Sequence, residues 1–280
     1  MNLIKQIGKL LSTGTSFSNY YRSLNQNLKR INDEYTMLHF PYFINETDNF
    51  LQSQMNLTDY CVSHLESLEG KSVLEIGCGN GVQAIYIKEK FKPGSMTGID
   101  LEEENIKIAV SEKERKHLEN IVFFVSDAQN MTVIESQSVD AVINIESAMH
   151  YPDKAMFLRE IYRILKPGAS FLIADLLTTK NKGTGVRRLW KRRMVLNHWQ
   201  KQQYYSGISE AKLVLTHNEE ITPNVIKGFK YHRRWIRQIN KGSLLHDWAF
   251  KLFYIILIRW IIFLLRHRRQ YYLFIGMKPG

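Results

Sequence analysis

The chain has almost no cysteine. Only Cys61 and Cys78 occur among 280 residues, which excludes a disulfide framework, and no Cys or His spacing matches a zinc signature. Proline is also sparse, at six in all, so no Pro-rich linker divides the chain, and an α/β unit of this length reads as one globular body. The opening stretch from Met1 to Ile7 holds no apolar run long enough for a secretory signal, which predicts residence in the cytoplasm. No internal repeat or low-complexity tract is present. The sharpest shortage is of acid in the last hundred residues. Residues 181–280 carry 4 Asp+Glu against 20 Lys+Arg, whereas residues 1–180 carry 23 against 18. Basic runs at 187–193, 233–237 and 266–269 would draw a polyanion: nucleic acid, anionic lipid headgroups or a phosphorylated substrate. The plain alternative is a solvated basic face.

What is present is concentrated at residues 73–81. Val73, Leu74 and Ile76 read as a buried strand that runs into Gly77, Gly79 and Gly81, and a strand ending in glycines brings bare backbone against a ligand. The apolar spacing of Val82, Ile85 and Tyr86 starts a helix whose N-terminus faces the same spot. A nicotinamide or flavin site wants glycine at the first, third and sixth positions of this turn. Here the sixth position is Val82. The chain offers instead Glu75 inside the strand and Asp100 at the tip of the next apolar strand, Ser95–Asp100, where a carboxylate can take both hydroxyls of a ribose.

Further along, Asp127 closes a third strand over residues 121–126, and the run Val139–Ile145 leads into Glu146, Ser147, Ala148, Met149 and His150. After a helix, Pro167 and Gly168 end it before a fifth strand, residues 171–174, that reaches Asp175. On these motifs and their order, residues 71–176 resemble the core of the class I S-adenosylmethionine-dependent methyltransferases. The resemblance implies an α/β Rossmann-like methyltransferase fold: a seven-stranded, mostly parallel sheet with helices on both faces, its last strand antiparallel. It also implies the cofactor, S-adenosyl-L-methionine. Glu75, Gly77 and Gly79 match positions that hold the methionine part, with Cys78 and Gly81 in the same turn. Asp100 with Leu101 matches the ribose and adenine edge, Asp127 with Ala128 the pair that reads the adenine, and Asn144 with Ile145 the floor beneath the methionine. The bland reading of the same residues is ordinary strand-to-helix turns and caps.

The division that follows is a helical cover at 1–70, a cofactor-binding core at 71–177, and an acceptor-pocket insertion with basic and apolar helices and the final strands at 178–280. A sixth strand is expected at 211–221 and the last at 270–277. In the cover, Tyr20, Tyr21, Tyr35 and Tyr42 could form a lid, or simply pack. Methyl transfer from a sulfonium is a direct displacement that needs alignment and at most one base. His150, beyond the fourth strand, and Asp175, at the end of the fifth, are the candidates for catalysis, Asp175 orienting His150. The segment 145–160, with the upstream 35–42, is similar to sterol, natural-product sugar and mycobacterial phthiotriolone-type methyltransferases. That implies a hydrophobic small molecule or lipid as acceptor and a hydroxyl oxygen as the methylated atom.

Residues 248–265 are apolar except for Lys251 and Arg259, a length near that of a membrane span. Arg259 at the bilayer centre would cost about 2.5–3.5 kcal/mol, and the final strand must return to the sheet, so a crossing is excluded. On a helix Lys251, Arg259, Arg266 and Arg269 fall within about 80° of one another. The apolar remainder can lie on an anionic membrane as a peripheral contact, cover a greasy pocket, or pack under the basic helices. Two rival functions remain. A nucleic-acid methyltransferase suits the basic third with Trp190, Trp199 and Trp235, but the loop after the fourth strand lacks the Pro-Pro-aromatic clamp for an exocyclic amine. A non-catalytic cofactor-binding scaffold at a membrane has no need of the whole motif set.

Overall fold

The computed structural model describes residues 17–45, 47–179, 196–238 and 244–280. The opening stretch, the basic run 187–193 and Trp190 lie outside these residues, as do the side chains of Tyr20, Trp235, Trp248 and the basic residues 233–237.

Helices α1 (Phe17–Asn32) and α2 (Phe50–Val62) precede the sheet. Then follow β1 (Ser72–Ile76), α3 (Val82–Phe91), β2 (Ser95–Asp100), α4 (Glu103–Arg115), β3 (Ile121–Val125) and β4 (Val139–Ile145). A single 3-10 turn at Ala148–His150 leads to α5 (Lys154–Ile164), β5 (Leu165–Thr178), α6 (Lys201–Glu210), β6 (Val214–Glu220), α7 (Thr222–Gln238), α8 (Leu244–His267) and β7 (Arg269–Met277). The strands form one seven-stranded sheet in the order β3-β2-β1-β4-β5-β7-β6. Only β7 runs antiparallel, against both β5 and β6, as the resemblance implies.

Helices cover both faces, so the central strands are buried on both sides and read as unbroken apolar runs. Alternate residues supply two separate cores: Val73, Ile143, Leu172 and Ala174 face one, and Leu74, Val142, Phe171 and Ile173 the other. The strand order reverses between β1 and β4, and ligands in open α/β sheets bind at such a point, beyond the carboxyl ends of the strands.

Several element ends differ from the sequence reading. The fifth strand begins at Leu165, directly after α5, and runs on to Thr178 because it pairs with β7 as far as Arg269. The sixth begins at Val214, since residues 211–213 close α6: Lys212 takes φ +61° and the Leu213 amide bonds back to the Ile208 carbonyl at 3.0 Å. Arg269 does not share the helix with Lys251, Arg259 and Arg266. It opens β7 and its guanidinium donates to Thr178 Oγ1 at 3.1 Å.

Helix α8 divides its apolar surface. Ile258 and Leu265 are buried in the first core, whereas Leu252, Ile256, Trp260 and Phe263 are 42–56% exposed. No described helix is long and apolar enough to cross a membrane.

Candidate active site

The ends of β1, β2, β3 and β4 open onto a cavity of about 250 Å³. The glycine turn forms its near wall. Gly77 sits at φ +73°, and a Cβ there would lie 2.3 Å from the Ser147 side chain, so backbone alone can pass between β1 and the loop after β4. Gly81 serves packing instead. It stands outside the cavity, and its added Cβ would meet Ala109 of α4 at 2.5 Å.

Of the expected cofactor residues, Gly77, Cys78, Gly79, Asp100, Leu101, Asp127, Ala128 and Ile145 line the cavity. Glu75, Gly81 and Asn144 do not. Glu75 and Asn144 lie one layer beneath the turn, and each keeps a buried oxygen without a hydrogen-bond partner, Glu75 Oε2 and Asn144 Oδ1. Burial, and then the charge of Asp100, push the Glu75 carboxyl well above the ordinary range. Two unpaired acceptors under a glycine turn suit an added donor or cation, because a buried oxygen without a partner is costly.

Asp100 stands on the cavity wall. Its Oδ2 accepts from the Gly79 amide at 3.0 Å, and its Oδ1 from the Glu102 amide at 2.9 Å and Asn105 Nδ2 at 3.2 Å. Burial raises this carboxyl, and those three donors oppose the rise. Leu101 beside it is 61% exposed, an apolar face at the mouth suited to an aromatic base. Asp127 turns back on its own loop, its Oδ1 accepting from the Gln129 amide at 2.9 Å. The donor set therefore fits S-adenosyl-L-methionine: unpaired acceptors for its amino end, a carboxylate for its ribose and an apolar shelf for its adenine.

A chain of amides that sequence reading missed fastens the cover over this wall. Asn105 links to Asn25 of α1 at 2.9 Å. Asn25 accepts from Asn80 at 2.8 Å, and Asn80 donates to the Thr36 carbonyl at 2.8 Å. All three asparagines are buried. Isolated asparagines give no periodic signal, so only their convergence reveals them.

Of the two expected catalytic residues, one lines the cavity and the other does not. His150 lines the cavity, its Nε2 2.8 Å from the Tyr21 hydroxyl of α1. Of the lid tyrosines whose side chains are described, Tyr21 lines the cavity and Tyr35 and Tyr42 do not; Tyr42 is buried and its hydroxyl accepts from Asn224 at 2.6 Å. Asp175 lies fully buried behind the wall, where its Oδ2 accepts from Tyr204 at 2.6 Å. Burial raises its carboxyl, with Lys154 as the chief opposing charge. Its carboxyl stands in the layer that carries Tyr204 and Lys154, and the Met149 backbone, next to His150, also helps to hold it down.

Glu146 is the titratable residue that sequence reading passed over. It follows β4 directly at φ +54°, a left-handed conformation rare for a side chain of this size. Its Oε1 accepts from the Phe40 amide at 2.6 Å. Burial pushes its carboxyl up to about 8, against the pull of that amide. His39 also lines the cavity, but burial holds its imidazole down at about 4, so it is neutral at physiological pH.

Comparison with known proteins agrees with this geometry. The Methyltransferase domain family matches residues 67–223, and the chain belongs to this family, with the class I fold of S-adenosylmethionine-dependent enzymes. It is 29% identical over 187 residues to a fatty-acid O-methyltransferase of Mycolicibacterium smegmatis, covering 66% of this chain and 60% of that protein. It is 40% identical over 109 residues to a phthiotriol/phenolphthiotriol dimycocerosates methyltransferase of Mycobacterium tuberculosis, covering 39% of each. The matches thus span less than two thirds of each relative's length. Among solved structures, phosphoethanolamine N-methyltransferase 2 of Haemonchus contortus, in complex with S-adenosyl-L-methionine, superposes with a TM-score of 0.79 at 16% identity. That match covers 95% of this chain and 60% of the other, and it speaks for the fold alone.

Proposed function

We propose that the chain transfers a methyl group from S-adenosyl-L-methionine to a hydroxyl oxygen of a hydrophobic small molecule or lipid, with His150 as base. The observation that carries this reading is the Tyr21–His150 contact at the cavity wall. His150 shares the lining of this cavity with the apolar side chains of Met37, Leu38 and Ile145. The two relatives described above are named for methylation of a fatty acid and of a phthiotriol lipid, which supports the acceptor class.

The cofactor would supply an electrophilic methyl group on sulfur. Gly77, Gly79 and Asp100 would fix its position, and Glu75 and Asn144 would meet its amino end. An acceptor hydroxyl beside His150 would give its proton to the imidazole and receive the methyl group that the bound cofactor supplies. Tyr21 holds the ring in place by its hydroxyl and by edge-on packing, centroids 5.7 Å apart. Positioned proton transfer of this kind contributes roughly 10²–10⁴-fold. With labelled methyl donor and a lipid extract, followed by mass spectrometry, His150→Ala is expected to lose turnover by that factor while keeping cofactor affinity. Undiminished turnover in that variant would refute the assignment.

The same reading includes peripheral contact with an anionic membrane. Leu252, Ile256, Trp260 and Phe263 fall within about 80° of one another on α8, with Arg259 and Arg266 next to them at about 100° per residue. All six side chains are exposed. A half-exposed apolar stripe flanked by arginines complements an acidic lipid surface. Co-sedimentation with phosphatidylserine vesicles should fall with salt and with Trp260→Ala plus Phe263→Ala. Binding that ignores both, or is absent, removes the membrane from the proposal.

A further inference from the structure

Outside the cavity, three side chains from two segments remote in sequence converge on the outer edge of the sheet. We infer that His64, His217 and Glu219 form a site for a divalent transition-metal ion, with Zn²⁺ its natural occupant. The paired-spacing test applied to the sequence could not find it, because His64 follows α2 while the other two lie on β6.

The local backbone builds the site. In β6, Leu215 pairs with Gly276 and His217 with Ile275, leaving Thr216 as an extra residue in a bulge. A regular strand would put Leu215, His217 and Glu219 on one face; the extra residue reverses the face between them. Leu215 therefore packs into the second core, while His217 and Glu219 turn toward Tyr60 and His64 on the other side.

The donor atoms are aimed as metal ligands are. The Nδ1 of His64 lies 2.8 Å from the Tyr60 carbonyl, so the ring proton sits on Nδ1 and the Nε2 lone pair is left facing Glu219. Metal-binding histidines are fixed in this manner by a hydrogen bond at their second nitrogen. Glu219 Oε2 lies 4.0 Å from His64 Nε2 and 3.6 Å from His217 Nε2, and the three ligand atoms all fall within 4.8 Å of one another. Bonds of about 2.0–2.1 Å in a tetrahedral Zn²⁺ site set ligands about 3.3–3.4 Å apart, so side-chain movements of about 1 Å complete the geometry. The two imidazoles stack at 4.9 Å, which holds both edges toward the same carboxylate. Tyr60 braces that carboxylate through its hydroxyl. His217 and Glu219 keep 45% and 41% of their side chains exposed, leaving a fourth position open to water.

The site has a mechanical consequence. Tyr60 stacks on Tyr42 with centroids 4.8 Å apart, and Tyr42 ends the segment whose Met37, Leu38 and His39 line the cavity. An ion joining His64 to β6 would tie α2 to the sheet edge and steady that segment through the tyrosine pair.

The test is calorimetric titration of Zn²⁺ into the metal-stripped chain, with Mg²⁺ in parallel, and thermal unfolding with and without Zn²⁺. The expected result is one equivalent of Zn²⁺ bound, no Mg²⁺ bound at the same concentrations, and a raised Tm. His217→Ala removes an exposed side chain and should lose that equivalent and the Tm gain together, as should Glu219→Gln, while His267→Ala, another exposed histidine, keeps both. Equal Zn²⁺ binding by His217→Ala and the unaltered chain, equal binding of Mg²⁺, or no heat at all would overturn the inference.

Discussion

Replacing Glu146 with glutamine should make the protein more stable, by an amount that grows with pH. The carboxyl moves from an ordinary 4.5 to about 8 because it is buried at the end of β4. Between those values the folded chain holds a proton that the unfolded chain releases, so the stability of the wild type falls as pH rises through this window and levels off above it. At about 1.36 kcal/mol per pKa unit, the loss attributable to Glu146 is about 3 kcal/mol at pH 7 and approaches about 5 kcal/mol above pH 8. Glutamine carries no charge to bury, and its amide oxygen can still accept from the Phe40 amide as Oε1 does at 2.6 Å. His39 and His198 act at the other end. Burial lowers them to about 4 and about 3, so their contribution is present above the ordinary histidine value of 6.5 and is lost as pH falls below it. They are common to both proteins and cancel in the difference. Urea unfolding of wild type and Glu146→Gln from pH 5 to 9, without cofactor, should give a difference in stability under about 1 kcal/mol at pH 5 that widens to its plateau near pH 8. A difference that stays flat across that range would refute the buried, protonated carboxyl.

Gly77→Ala should destabilise the fold by at least about 1–2 kcal/mol from its left-handed backbone alone, and the Cβ at 2.3 Å from Ser147 adds a clash. Cofactor titration by calorimetry should show affinity lost in the same variant. Asn25→Ala removes one buried hydrogen-bond partner from each of Asn80 and Asn105, at a cost of about 1–3 kcal/mol. It should also speed cofactor dissociation, measured by stopped-flow competition, because α1 is then held over the wall by fewer bonds. Unchanged stability in Asn25→Ala would show that water replaces the amide without penalty.

Much of the fold was legible because its signals are local. The strands at Ser95–Asp100 and Val139–Ile145 have the bounds the sequence predicts, since apolar runs stopped by turn residues declare a strand without reference to the rest of the chain. The glycine turn was legible for the same reason: residues 73–81 carry their own conformation, and Gly77 needs a positive φ that only the backbone decides. Ends controlled by a partner were not legible. The fifth strand runs to Thr178 because β7 pairs with it there, and nothing within residues 175–178 announces that partner.

The cofactor wall was therefore written in the chain order, with the acidic residues at strand ends that a parallel sheet brings to one rim. The rest of the site depended on packing across the molecule. Tyr21 meets His150 because α1 lies across the ends of the strands. Asp175 lies outside the lining and accepts from Tyr204, on the face that alternation along the strand gives it. Phe40 closes on Glu146, and His64 on Glu219, by the same long-range route. The sequence determined the class of fold and the glycine turn at the strand ends, since local propensity and periodicity act over a few residues. The tertiary structure decided which titratable groups stand together, since burial and proximity between distant segments exist only once both faces of the sheet are covered.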